Sequence, residues 1–239
     1  MDAAVLQGAA GSADAVIRAA GTNGREFPEL DRAAVAALLA GLEGSAKAFI
    51  YTSGIWVHGP TGDGVADEET PLHPPALVAW RPAVETLVLL AARQGLRAMV
   101  IRPGMVYGRS GGMVAELQRA AQEDMVVRVV GDGENRWPMV HADDLARLYT
   151  LMLEKGTPGA VYLGTEGPSI RYRMVAEAAC RAAGARGHVA VWPLEQARKA
   201  LGPLADAVVL DQQFSSAKAK RELGWAPARP SVLEDLGAL

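Results

Sequence analysis

Hydrophobic positions along the chain fall into short runs separated by helical spacings. Ala48 to Thr52, A-F-I-Y-T, is apolar on both alternating faces and runs directly into Ser53-Gly54. A strand without polar alternation is buried on both sides, as in parallel sheets, and the loop at its carboxyl end is where open α/β sheets place their chemistry. Upstream, Asp14 to Ala19 reads as a second strand, leading into Gly21-Thr22-Asn23-Gly24. Residues 2–10 suit a short helix capped by Asp2. An alanine- and leucine-rich helix follows, with Asp31 as its expected cap, Leu42 as its last residue and Gly44 as its stop. The β-loop-α-β order requires a crossover and therefore parallel pairing.

The same pattern continues. The stretch 60–75 carries four prolines, two glycines and Asp67-Glu68-Glu69, predicting a long exposed loop with a solvated acidic cluster. A helix over Pro82 to Gln94 stops at Gly95 and delivers the chain to a strand, Arg97 to Arg102. A loop from Pro103 to Gly108 follows, then a helix over 112–122, a strand over 126–130 and a loop from Gly131 to Trp137. Asp143 is the expected cap of a helix ending at Lys155 and Gly156. Beyond it lie a strand over 160–164, a helix over 170–183, an extended segment over 189–192 and a tail containing Lys218 to Trp225. This mixed region suits a smaller α+β lobe over 160–239, beside an α/β domain over 1–159, with segments free to interleave.

Composition narrows the classes. With 239 residues, half of them hydrophobic, the chain can bury a substantial core. The net charge of −3 is spread without a basic stripe, which argues against nucleic acid or an anionic membrane as partner. Cys180 is the single cysteine, which excludes an internal disulfide and fits a reducing, cytoplasmic setting. His58, His73, His141 and His188 are too dispersed for a recognisable metal motif, so no metal is expected. No apolar run approaches the ~18 residues of a membrane span.

Six motifs, in order, are Asp14 to Gly21 (D-A-V-I-R-A-A-G), Tyr51 to Gly59 (Y-T-S-G-I-W-V-H-G), Asp67 to Leu72 (D-E-E-T-P-L), Arg102 to Gly108 (R-P-G-M-V-Y-G), Gly131 to Ala146 (G-D-G-E-N-R-W-P-M-V-H-A-D-D-L-A) and Lys220 to Pro227 (K-R-E-L-G-W-A-P). Together they resemble the extended short-chain dehydrogenase/reductase superfamily, in its NAD-dependent epimerase/dehydratase group. The resemblance implies a Rossmann-like parallel sheet that carries cofactor, and a C-terminal lobe that closes over a small polar substrate such as a nucleotide sugar.

Three departures from that pattern matter. Asp14-Ala-Val-Ile resembles the family's fourth strand, which makes this a partial sheet whose first three strands, on the order of sixty residues with the glycine-rich phosphate turn, are missing. Gly8-Ala-Ala-Gly11-Ser-Ala-Asp14 mimics such a turn, but its third glycine is Asp14. The family's Ser/Thr, Tyr and Lys positions fall on Gly54, Leu77 and Arg81. Leucine carries no proton, and arginine stays charged at neutral pH, so Arg81 suits an anion or a ribose hydroxyl. Finally, the apolar strand near residues 14–19 becomes a sheet edge, which predicts either a homodimer across it or poor solubility.

The resulting candidates are His58 and Tyr107 as replacement proton-transfer groups, and Thr52, Ser53, Arg81, Arg136 and Trp137 as ligand contacts. If a dinucleotide binds, Ala20, Gly21, Arg81, Pro103 and Gly104 would meet it; the cofactor expectation is none, or weakly bound NAD(P). His141 and Asp143-Asp144 read as structural. Three functions stay open: an atypical family member acting on a small polar or aromatic metabolite without the hydride cycle, as a lyase, isomerase or cyclase; a truncated or mis-started NAD(P)-dependent epimerase, dehydratase or reductase; and a non-catalytic binding or assembly protein.

Overall fold

Residues 2–21, 26–124, 126–184 and 188–237 are described by a computed structural model. In chain order the elements are α1 (Ala3–Ser12), β1 (Ala15–Arg18), α2 (Phe27–Leu42), β2 (Ala48–Thr52), α3 (Arg81–Arg93), β3 (Arg97–Pro103), β4 (Met105–Tyr107), α4 (Gly112–Asp124), β5 (Val126–Val130), β6 (Arg136–His141), α5 (Ala142–Lys155), β7 (Val161–Gly164), β8 (Glu166–Arg171), α6 (Tyr172–Ala182), β9 (His188–Trp192), α7 (Leu194–Leu201), α8 (Leu204–Val208), α9 (Ala217–Leu223) and α10 (Val232–Gly237). Two 3-10 turns, Ile55–His58 and Ala76–Val78, follow β2.

The apolar run of β2 becomes an inner strand of a four-stranded parallel sheet ordered β1-β2-β3-β7. Its side chains alternate between two cores. Phe49 and Tyr51 face Val35, Leu38, Val84 and Val88 of α2 and α3, while Ala48 and Ile50 face Leu145, Leu148 and Met152 of α5. Ala219, Leu223 and Trp225, near the end of the chain, complete the α5 side. The outer edge of β7 is sealed by side chains, since Glu68 accepts from the Leu163 N–H and Ser216 from that of Thr165. β1 lies at the other edge, with Ile17 exposed.

A second body is assembled from distant segments. β4, β6 and β8 form a mixed sheet, and β5 pairs in parallel with β9. Their core joins Tyr107, Val127 and Trp137 to Val175, Ala179 and Val208.

Several local expectations are corrected. Asp31 does not cap α2, which starts at Phe27; it is buried inside the helix, on the apolar face with Ala34, Val35 and Leu38. The cap of α5 is His141, whose Nδ1 accepts from the Asp143 N–H at 3.0 Å. The expected loop 103–108 contains β4, and Arg136 and Trp137 open β6 rather than lie in a loop. β8 precedes α6 where one longer helix was expected. Gly8 and Gly11 lie within α1, so the glycine mimic forms no phosphate turn. Glu68 is docked on β7, not solvated, because it supplies the acceptor that edge needs.

Candidate functional site

The carboxyl end of β2 is built by its alternation. Thr52 turns its hydroxyl toward α5 and shares a 2.7 Å hydrogen bond with the Tyr149 hydroxyl. Ser53 continues the ladder through its N–H to the Ile101 carbonyl at 2.8 Å, while its Oγ is buried without a partner among the described residues. Gly54 follows with φ 174°, an extended backbone open to any residue, and a Cβ there would meet nothing within 4 Å among the described residues. With respect to those residues the space beside Gly54 is open. Gly104 is different: a Cβ on it would lie 2.5 Å from the Pro138 carbonyl, so Pro103 and Gly104 are packed beneath β6, both buried.

Arg81 reaches the same strand end from the first turn of α3. Its Nη1 donates to the Thr52 carbonyl at 3.1 Å, and its guanidinium sits 4.9 Å from the centre of the Trp80 ring. The Trp80 indole N–H is given to the Leu77 carbonyl at 3.2 Å, and the ring meets Phe27 edge-on at 5.4 Å. Arg81 is thus tied directly, and Leu77 through Trp80, to the strand end that Gly54 follows. Ala20 and Gly21 are exposed beyond β1, with Gly21 beside Phe27; Thr22, Asn23 and Gly24 lie outside the described residues.

Two buried networks support this end of the sheet. Asp31 accepts from the Tyr51 hydroxyl at 2.8 Å and pairs with Arg18 at 2.5 Å. Burial and the Asp31 charge hold the Tyr51 phenol far above its ordinary range. On the neighbouring strand, Arg102 makes a two-pronged pair with Glu85, at 3.2 and 2.6 Å, and donates to His58 Nε2 at 3.0 Å. Nε2 must then be unprotonated, which places the imidazole hydrogen on Nδ1. Burial, then the Arg102 charge, lower the His58 pKa to about 4. Such a group is a weak base at neutral pH, and at 2% exposure it faces the core. Asp31 and Glu85 left a legible trace, a lone carboxylate on the apolar face of a helix; Tyr51, Phe27 and Trp80 read only as hydrophobic positions.

The other candidates lie in the second body and do not join the strand ends. Tyr107 is fully buried, contacting Glu166 and lying 2.6 Å from the Pro230 carbonyl. Burial and Glu166 push its phenol well above the ordinary range, and burial also raises the Glu166 carboxyl. Arg136 is held by Asp211 through Nε at 2.8 Å and Nη2 at 2.5 Å, and by the Gly62 carbonyl. Trp137 is 1% exposed, stacked on Tyr172 at 4.0 Å, with its indole N–H on the Val208 carbonyl. Sequence reasoning placed these three near a ligand because it took their surroundings for loops. Asp144 accepts from the N–H groups of Ala228 and Arg229, so it pins the C-terminal tail.

A surface cleft of about 460 Å³ lies between Asp143, Asp144, Arg147 and Arg229, and another of about 200 Å³ beside Arg109 and Asp235, neither lined by Thr52, Gly54 or Arg81. Among the described residues no group of three or more His, Cys, Asp or Glu side chains is placed to hold a metal, and no helix is long and apolar enough to cross a membrane.

Comparison with known proteins bears on this site. A model of the NAD dependent epimerase/dehydratase family matches residues 7–164. An uncharacterized protein of Saccharomyces cerevisiae is 32% identical over 212 residues, covering 88% of this chain and 70% of that one. Among solved structures, dTDP-glucose 4,6-dehydratase from Streptomyces venezuelae, with NAD bound, superposes with a TM-score of 0.83 at 22% identity, covering 96% of this chain and 73% of that one. UDP-glucose 4-epimerase from Thermotoga maritima, with UDP-glucose, gives 0.82 at 23% identity, covering 98% and 79%.

Proposed function

Because the chain belongs to the NAD dependent epimerase/dehydratase family, we propose that it binds a small polar or aromatic metabolite at the carboxyl ends of β2 and β3 without the usual hydride cycle, as a lyase, isomerase or cyclase. The observation that carries this reading is Arg81, whose guanidinium is fixed on the Thr52 carbonyl with Gly54 and Leu77 in the positions of the family's other proton-transfer residues. A permanently charged fork binds and orients; it does not take up a proton at neutral pH. His58 and Tyr107 offer no replacement there, the first buried with a lowered pKa and the second enclosed in the other body.

The dTDP-glucose 4,6-dehydratase neighbour is described with NAD, so the donor set must be weighed against a dinucleotide. Arg81 suits a ribose hydroxyl, but Arg18 is committed to Asp31, Ser53 Oγ is enclosed, and Pro103 and Gly104 are covered. These residues fit one end of the cofactor and support weak binding of NAD(P), or none. Calorimetric titration should give dissociation constants weaker than about 0.1 mM for NAD(H) and NADP(H). Micromolar binding with hydride turnover on a nucleotide sugar would overturn the proposal.

The apolar edge of β1 supports a homodimer through residues 14–19, in contrast to the sealed edge of β7. Light scattering should give twice the chain mass; a monomer refutes that part.

A further inference from the structure

We propose that Arg81, Leu77, Trp80 and Phe27 form a subsite for a small organic carboxylate with an apolar body, an inference that rests on the ligand site at the strand ends proposed above.

Charge points to a monoanion. Three arginines lie near the ends of β1, β2 and β3, and two of them are neutralised within the fold, Arg18 by Asp31 and Arg102 by Glu85. Arg81 makes no ion pair among the described residues, and only its Nη1 is engaged, on a neutral carbonyl. Its Nε and Nη2 hydrogens form the planar fork that matches two carboxylate oxygens. One uncompensated positive charge suits one negative charge; a phosphate dianion would leave a second charge to bury.

The surroundings give the rest of the ligand. Leu77 has no polar atom in its side chain, Phe27 has none, and the Trp80 N–H is already spent on the Leu77 carbonyl. The Phe27–Trp80 contact, with rings at 89°, and the guanidinium over Trp80 hold Phe27, Trp80 and Arg81 together as one wall, to which Leu77 is joined through its carbonyl. Among the described residues such a wall offers no partner to a row of sugar hydroxyls, and each hydroxyl buried without a partner lowers affinity. An apolar body loses nothing there. The open space at Gly54 is the room beside the Thr52 carbonyl that Arg81 holds.

The test uses the full chain with benzoate, benzamide and acetate as probes, by calorimetry and thermal shift. Benzoate should bind at millimolar concentration or tighter, with benzamide and acetate each weaker by about tenfold or more. Arg81→Gln should weaken benzoate by a similar factor. Arg81→Lys, which keeps the charge without the fork, should fall between the two and serves if the glutamine variant does not fold by circular dichroism. Gly54→Phe, compatible with the extended backbone, should abolish binding by filling the space. No benzoate binding, benzamide equal to benzoate, or Arg81→Lys equal to wild type would overturn the carboxylate subsite. Loss of benzoate in Gly54→Phe with Arg81→Gln unchanged would overturn the subsite alone and keep the strand-end site. Benzoate binding that survives Gly54→Phe would overturn both.

Discussion

His58 should make the protein sensitive to mild acid. Its folded pKa is lowered to about 4 by burial and by Arg102, whereas the unfolded chain carries an ordinary imidazole near 6.5. Between those values the unfolded chain binds the proton and the folded protein does not. The contribution is therefore fully present above pH 6.5 and is lost as pH falls toward 4, reaching about 3 kcal/mol in all and about 2 kcal/mol between pH 7 and pH 5. Against a total stability of roughly 5–15 kcal/mol that is a large share. Other groups titrate in the same window, so a variant is needed to isolate the imidazole. His58→Gln keeps an acceptor for Arg102 Nη1 and removes the titration, while it loses the 4.9 Å contact with the Phe214 ring, a cost independent of pH. Urea unfolding followed by tryptophan fluorescence at pH 8, 7, 6 and 5 gives the difference between the two proteins. That difference should shrink steadily below pH 7, and proton NMR should place the His58 midpoint below 5. A difference constant with pH, or a midpoint above 6, refutes the reasoning.

Tyr107 has one hydroxyl hydrogen but two close oxygen neighbours, Glu166 and the Pro230 carbonyl, and the carbonyl can only accept; Glu166 must then bring a proton of its own. Glu166→Gln should cost less than about 1 kcal/mol at pH 7, whereas Tyr107→Phe, leaving Pro230 without a donor, should cost about 1–3 kcal/mol in urea unfolding. Because the folded Glu166 pKa is raised, its stabilisation is complete below the ordinary carboxylate range and declines as pH rises through the raised value; the glutamine variant should lack that decline in melts from pH 5 to 8. Glu85→Ala, which strands Arg102 in the core, should cost about 3–5 kcal/mol, and a loss below 1 kcal/mol would mean that water reaches the pair. Gly41→Ala would put a Cβ 2.3 Å from the Gln7 carbonyl, so it should destabilise by about 1–3 kcal/mol despite alanine's better helix propensity; a higher melting temperature would show that α1 does not hold that position.

The parallel sheet was legible in the sequence because its signals are local. Ala48 to Thr52 announces a strand buried on both faces, Gly95 ends α3, and Asp2 caps α1 with hydrogen bonds from Ala4 and Val5. The second body was poorly legible because its pairings are distant: β5 meets β9 some sixty positions later, and β4 is three residues long. That is why Arg136 and Trp137 read as loop residues while they open β6. Gly54, Leu77 and Arg81 could be named from the sequence, but their setting could not. Whether Arg81 is free or paired depends on which carboxylates the fold has already used, and Asp31, expected to cap a helix, proves to be the partner of Arg18 and Tyr51.

Trp225 sets a condition on biosynthesis. It packs with Ile50 and Met99 under the first sheet and donates its indole N–H to the Asp144 carbonyl, so the core begun at β2 is closed by a residue made 175 positions later. At translation rates of about 5–20 residues per second, the α5 face of the sheet waits roughly ten to thirty seconds for its last piece. During that interval the nascent chain presents an apolar surface that is first bare and then covered by α5 only in part. Ribosome-stalled chains ending before Trp225 are therefore the species that a trigger-type holdase should retain, and chains extended past the tail are the first it should release.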